Sequence, residues 1–314
     1  LHLLYSRFFS KALKDSEIGS INEPFKGLFT QGMVCHETYK TKKGEWVFPN
    51  DVYKKEDNFF HIETDEEIIE GPSESMSKSK KNIVDPEEII NIYGADTARW
   101  FMLSDSPPGR DIKWSEAGVK GSWKFISKIW NLINGHKSLF KTELAISDEK
   151  SKKYFDLKKV THKSLRDVTN SIEEFQMNVA VAKIYELTNF ITSFKPANDS
   201  DKLALRESLQ ILLRILEPMI PHIAEECWSI IGEKEMLNGK PWPTFDPQYI
   251  KDDTVQIVVQ VNGKKRAVVE VEHNLEQDEI IKKLKNFENI QIPKDLTKVK
   301  KIIFVKNKIL NIVI

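Results

Sequence analysis

The sequence has no surplus of charge of either sign: 47 Lys and Arg stand against 47 Asp and Glu in 314 residues. That balance excludes a chain-wide attraction to nucleic acid, so any RNA-binding surface must be local. Cysteine is almost missing. Cys35 and Cys227 lie far apart without the partner spacing of a metal site, which argues against a disulfide framework and fits a reducing compartment. The histidines are scattered, with no H-x-x-x-H or Cys/His cluster, and no bound metal is expected. No apolar run reaches the length of a membrane span and no signal-peptide pattern opens the chain. A cytoplasmic protein with no membrane partner is the expectation.

What is present falls into three stretches. The chain opens LHLLYSRFFSKAL, already inside an amphipathic helical pattern with Leu1, Leu4, Phe8 and Leu13 on one face. Neither an initiator Met nor a cap precedes it, so a fragment lacking its N-terminal part is expected. Within 1–111, FKGLFTQGMVCHETY reads as a buried strand entering a loop, and 46–61 as a small hairpin. A helix over 86–103 follows, where Asp85 can cap, Pro86 suits the first turn and Glu88 completes a capping-box spacing. Ile89, Ile90, Tyr93, Ala98, Phe101 and Met102 are its candidates for burial, and the prolines of SPPGRD end the region.

Residues 112–245 carry apolar positions at helical spacing broken by short polar segments such as KPANDSD, the pattern of a helical bundle. A fifth helix should begin near Pro221. Trp123, Trp130, Met219 and Trp228 read as core, and His222 as a capping or packing residue. Residues 246–314 change again, to two alternating runs around Asn262-Gly263, a helix in LEQDEIIKKLKNF and two further strands. This small α+β domain is locally basic through Lys264, Lys265, Arg266, Lys294, Lys298, Lys300, Lys301, Lys306 and Lys308. Such lysines could form a solvated face, but their concentration at a hairpin tip and a strand-rich end points to contact with a phosphate backbone.

The stretch ESMSKSKKNIVDPEEII crowds Ser75, Ser77, Ser79, Lys78, Lys80 and Lys81 immediately before a helix start. It should be a mobile surface loop. Composition alone leaves it either a solvated linker or a clamp for phosphate.

Ordered along the chain, HLLYSRFF, TQGMV, SMSKSKKN, VDPEEIINIYGADTARWFML, WSEAGVKGSWKFISKIW, PMIPHIAEECW and VVQVNGKKRA together resemble the bacterial leucyl-tRNA synthetase family of class I aminoacyl-tRNA synthetases, toward its C-terminal end. The VNGKKR end favours leucine over the isoleucine, valine or methionine enzymes. The resemblance implies a multidomain, mainly α chain. Residues 1–111 would be a partial Rossmann-like α/β catalytic piece with a short insertion near 40–70, residues 112–245 a helical anticodon-binding bundle, and residues 246–314 an α+β tRNA-binding domain.

The implied activity is a leucine–tRNA ligase using leucine, ATP with Mg2+, and tRNA(Leu), monomeric as the full enzyme. Lys78 would be the catalytic cation on ATP. Ser77 and Ser79 would bind ATP or simply keep the loop supple, and Gly32, Met33 and Val34 would pack against its adenine. Ser75, Met76, Ser77, Lys78 and Ser79 would form the signature loop. His2 would line the leucine pocket, or be an ordinary helix histidine. Gly32 could serve close approach to a ligand or end a core strand. Lys264, Lys265, Arg266, Lys300 and Lys301 would touch tRNA.

One position departs from the family: Ser75 stands where the signature normally opens with lysine, and Lys80 and Lys81 could partly replace that charge. The H-x-G-H signature, the Gly-Gly-x-Glu-His segment and room for an editing domain are not in this sequence, so the chain alone is expected to be inactive. A noncatalytic tRNA-binding module derived from such a synthetase is the alternative reading.

Overall fold

The computed structural model describes residues 1–145, 150–250, 254–272, 275–284 and 299–313. Their contacts group into two compact units, Leu1–Phe245 and Asp246–Ile314. No described helix is long and apolar enough to cross a membrane.

The first unit opens with α1 (His2–Asp15), none of whose residues is buried. A coil then leads to β1 (Val34–Thr41), β2 (Trp46–Val47), β3 (Val52–Lys55), β4 (Asn58–His61) and β5 (Glu67–Ser75). The expected strand over 25–39 is therefore displaced: 25–33 is coil, and the strand starts at Val34 and runs to Thr41. The hairpin expected within 46–61 is present as β3 paired with β4. The sheet order is β2-β1-β5-β4-β3, with antiparallel neighbours. Only β6 (Ile112–Lys113) pairs in parallel, with the start of β1, so among the described residues this piece is largely an antiparallel sheet.

The helix read over 86–103 is two helices, α2 (Pro86–Tyr93) and α3 (Ala95–Ser104), broken at Gly94, whose φ of 84° an L-residue rarely adopts. Asp85 caps α2 by accepting from Glu87 N at 2.9 Å. The capping box is not made, because Glu88 instead accepts from Asn50 Nδ2 at 3.1 Å, bridging α2 to the turn before β3. Ile90 is exposed, whereas Trp100, absent from the expected burial set, is fully buried.

α3 joins this piece to the bundle of α4 (Glu116–His136), α5 (Lys152–Glu173), α6 (Met177–Ser193), α7 (Asp199–Leu216) and α8 (Pro221–Ile230). Trp100 stacks on Phe125 with ring centroids 4.7 Å apart, and its Nε1 donates to Tyr185 Oη at 3.2 Å. The Arg99 guanidinium donates to the carbonyls of Pro218 and Met219, and the buried Asp96 carboxylate accepts from Ile223 N at 2.7 Å, capping α8 from outside. His222 supplies no cap; its exposed ring lies 2.9 Å from Asp96 Oδ1. Large aliphatic side chains of α4–α8 fill one continuous core. Met219 and Trp228 are buried in it as expected, but Trp123 and Trp130 are 47% and 38% exposed on α4, facing away from that core.

The second unit has α9 (Pro247–Ile250), β7 (Thr254–Val261), β8 (Lys264–Glu272), α10 (Gln277–Leu284), β9 (Lys301–Val305) and β10 (Ile309–Val313). Its sheet order is β8-β7-β10-β9, with β10 parallel to β7. Asn262 and Gly263 have φ of 49° and 78°, as the type I′ turn in the sequence requires. Ile280 and Leu284 of α10 cover one face of the sheet.

A polar group lies between α5 and α7. Lys158, 7% exposed, pairs with Glu207, and His162 Nε2 lies 3.3 Å from the same carboxylate. Burial raises the Glu207 pKa, but hydrogen bonds from His162 and Lys158 more than offset this and hold it below the ordinary 4.5. A depressed carboxylate pKa contributes stability that is present above the ordinary value and lost as pH falls through the folded one. The bundle is therefore expected to lose thermal stability as pH drops below about 4.5. In Glu207→Gln that acid-side loss should flatten, at the cost of lower stability near neutrality. Melting curves across the acid range check this, and parallel wild-type and variant slopes would contradict it.

Candidate functional site

Sequence-distant segments converge on the first residues of β1. Gly32 N donates to Pro108 O at 2.8 Å, and Met33 N donates to Asp111 Oδ1 at 2.8 Å. Met33 O accepts from Ile112 N at 2.8 Å, Val34 O from Met76 N at 3.0 Å, and Cys35 O from Trp114 N at 2.8 Å. The 107–114 segment and the base of the signature loop are thus both tied to residues 32–35.

Gly32 needs its missing side chain, for a reason internal to the chain. A Cβ there would lie 2.0 Å from Arg110 O and 2.5 Å from Asp111 N. The space is taken by backbone, so the glycine itself gives no support for a bound ligand. Met33, by contrast, is 56% exposed, and its backbone groups are spent on Asp111 and Ile112.

The signature loop leaves β5 at Ser75. Ser77 caps one 3-10 turn, Lys78–Lys80, by accepting from Lys80 N at 3.3 Å, and Ser77 Oγ and Ser79 Oγ are 3.1 Å apart. Lys81 then takes a left-handed conformation, φ 56°. Both serines therefore shape the loop through local bonds. The lysines part company. Lys80 pairs with Glu74, and the Lys81 ammonium sits 5.1 Å from the centroid of the Phe48 ring. Lys78 is exposed and, among the described residues, has neither an ion pair nor a hydrogen bond through its ammonium. Lys80 and Lys81 thus each have a neighbour within the chain.

Asn82 was only the last letter of the quoted motif, yet it is fully buried. Its Oδ1 accepts from Ser77 N at 2.9 Å, and its Nδ2 donates to the carbonyls of His36 (3.3 Å), Glu74 (3.1 Å) and Ser75 (3.4 Å). A cleft near this sheet is lined by His36, Glu37, Tyr39, Glu70 and Lys113 among others. Burial, with Glu70 and Glu37 nearby, pushes the Tyr39 phenol up to about 12. Burial also raises Glu37, but hydrogen bonds from Lys113 and its own backbone amide, with the charges of Lys113 and His36, together outweigh it and lower that carboxyl overall. No sequence pattern marked this cleft, because its residues lie on separate strands.

His2 is exposed on the first turn of α1, apart from the 32–35 segment and the loop in sequence and without a hydrogen bond to either. In the second unit Lys264, Lys265 and Arg266 are all exposed at the start of β8. Three consecutive exposed residues depart from simple strand alternation; a register shift here leaves Arg266 between the pairs Val259–Ala267 and Gln260–Lys265. Lys300 and Lys301 are exposed at the same end of the sheet, on the opposite edge strand. Three inter-strand spacings separate the two edges by about 14 Å. Lys294 and Lys298 lie outside the described residues.

Residues 53–115 match the family model for tRNA synthetases class I (I, L, M and V), and residues 155–282 match the anticodon-binding domain of tRNA ligase. The chain is similar from end to end to leucine–tRNA ligases, in agreement with the resemblance read from its motifs. It is 43% identical over 319 residues to the leucine–tRNA ligase of Parvibaculum lavamentivorans, covering 100% of this chain and 37% of that protein. It is 40% identical over 315 residues to that of Maricaulis maris, covering 100% and 36%. The crystal structure of a LeuRS-tRNA-LeuAMS ternary complex from Agrobacterium radiobacter K84 superposes with a TM-score of 0.69 at 25% identity, covering 100% of this chain and 36% of that one. The chain thus spans a little over a third of the length of these relatives.

The contact at Gly32 has a measurable consequence. Gly32→Ala should destabilise the first unit by about 1–3 kcal/mol, the usual range for overpacking, because backbone cannot step aside. Gly27→Ala, whose Cβ would meet nothing within 4 Å, serves as the control in urea denaturation. Equal midpoints for the two variants would refute the contact.

Proposed function

We propose that the chain serves a leucine–tRNA ligase: ATP-dependent activation of leucine to leucyl-adenylate, followed by transfer to tRNA(Leu). The observation that carries this is the unpaired, exposed ammonium of Lys78 on a loop tied directly to the 32–35 segment. The similarity of the whole chain to leucine–tRNA ligases supports it.

In the first step the leucine carboxylate attacks the α-phosphorus of ATP, which enters as its Mg2+ complex. The bond to the β-phosphate oxygen breaks and pyrophosphate leaves. In the second, a hydroxyl of the terminal tRNA ribose attacks the activated carbonyl and AMP departs. Charge grows on pyrophosphate during the first step, and a free ammonium on a movable loop can meet it. Lysine suits this as a mobile point charge, where arginine would impose a planar fork.

Ser75 removes one charge from this clamp, so Lys78 carries a larger share. Ser77 and Ser79 hold the turn that presents it. Residues 32–34 form the adenine side, with Met33 as the exposed apolar contact. His2 takes the leucine side chain once α1 is packed within the catalytic domain. Lys264, Lys265, Arg266, Lys300 and Lys301 contact the tRNA backbone from one end of the second sheet. We assign 1–111 to the catalytic domain, 112–245 to the anticodon-binding bundle and 246–314 to the C-terminal tRNA-binding domain, in a monomeric cytoplasmic enzyme.

Leucine-dependent exchange of pyrophosphate into ATP by the full-length gene product tests the reading. Lys78→Ala should lower the exchange rate by about 10²–10³-fold, the loss typical of one transition-state donor. Exchange with isoleucine, valine or methionine in place of leucine would move the assignment to a sister enzyme. A protein that binds tRNA but exchanges nothing would be the noncatalytic module instead.

A further inference from the structure

The same loop contains a residue whose geometry goes beyond charge. Asn82 is 0% exposed, and its carboxamide makes bonds from both of its heteroatoms. Their targets are specific. Oδ1 holds Ser77 N, the first residue of the loop tip, at 2.9 Å. Nδ2 reaches Glu74 O and Ser75 O, the last residues of β5, at 3.1 and 3.4 Å, and His36 O of β1 at 3.3 Å. One side chain therefore ties the outgoing strand, the incoming end of the loop and the neighbouring strand to a single point.

Between the tied ends the tip is lightly held. Residues 78–81 form one 3-10 turn closed by Lys81 N to Lys78 O at 3.3 Å, and the Lys80–Glu74 pair is a partly exposed contact at its side. The αL residue Lys81 turns the chain back so that Asn82 can reach under the loop. A rigid base with a loosely held tip is what a moving cation needs. It limits the tip to a narrow arc, so closure does not have to order the strand ends as well.

We infer that Asn82 is a positioning residue for the activation step: its buried carboxamide fixes the base of the signature loop so that the Lys78 ammonium closes on the ATP phosphates in one register. Asn82 touches no substrate and acts through Ser77 and Lys78. The inference rests on the ligase reading above and adds to it the residue that aims the clamp.

The chemistry of the substitutions follows from the bonds. Asn82→Ala removes both the acceptor and the donor. Asn82→Asp has the same shape and keeps the acceptor for Ser77 N, but turns a carboxylate oxygen toward the carbonyls of His36, Glu74 and Ser75, where repulsion replaces attraction.

The experiment uses the full-length gene product with three readouts. Pyrophosphate exchange at varied ATP and at varied leucine separates the two substrates. Single-turnover transfer to tRNA from enzyme-bound leucyl-adenylate isolates the second step. Hydrogen exchange at the Ser77 amide reports the clamp directly. Asn82→Ala should lower kcat/KM for ATP by about 10²-fold, the scale of loss from misplacing a reacting group by about 1 Å. The KM for leucine and the transfer rate should stay at wild-type values, and the Ser77 amide should exchange faster. Asn82→Asp should fall between wild type and Ala, and it decides the matter if Asn82→Ala does not fold.

Equal losses in ATP use, leucine use and transfer would make Asn82 a general stability residue and overturn the inference. So would wild-type exchange kinetics in both variants. If the wild-type protein exchanges no pyrophosphate, the ligase reading fails and the positioning role goes with it. The Ser77 amide then still shows whether Asn82 clamps the loop, so the two failures are told apart.

Discussion

The close backbone contact at the start of β1 is the constraint on which the rest of the site depends. Residues 32–35 bond to the 107–114 segment on one side and to Met76 at the base of the loop on the other. That density of bonds is possible only because position 32 has no Cβ to hold Arg110 away. Lose the contact and β6 loses the one strand it pairs with among the described residues, while the loop loses a neighbour against which its base is set. The glycine thus works upstream of any ligand, by letting one stretch of backbone serve several others.

From there order passes outward through a few buried polar groups. Asn82 holds the loop, Asp96 caps α8 and Glu207 gathers Lys158 and His162 between α5 and α7. Asn82 and Asp96 are buried away from water, and partly exposed Glu207 reaches the buried Lys158 and His162, so each group is satisfied by partners from other segments. These are also the places where separate elements meet. α3 shows the principle most clearly: Trp100 enters the aromatic group of the bundle while Arg99 and Asp96 grip the turn between α7 and α8. Residues on either side of 111 therefore pack as one unit.

Charge in the loop is distributed unevenly. Three lysines within four positions suggest a diffuse positive patch, yet Glu74 engages one and an aromatic ring neighbours another. A single free ammonium remains at the tip. The basic end of the second sheet shows the opposite effect, with three consecutive cations exposed where plain alternation would have divided them.

Much of the architecture was legible because it rests on local signals. Helical periodicity marked the bundle, Asn262-Gly263 marked the hairpin, and Asp85-Pro86 marked the start of α2. The SMSKS letters identified the loop itself. Errors came where a local signal had a distant competitor. Glu88 fits a capping box but bonds to Asn50, and at the end of the coil before Val34 the backbone of Gly32 and Met33 is tied to Pro108, Asp111 and Ile112. Trp123 and Trp130 have the size of core residues, but they lie on the outer side of α4. The sequence by itself determined most of the elements, the hairpin turn and the resemblance to a family, since propensity, turn geometry and motif spacing act over a few residues. Only the tertiary structure decided which lysine is free, why Gly32 must be glycine and what Asn82 holds. Those answers depend on backbone and charge brought together from positions far apart in the chain.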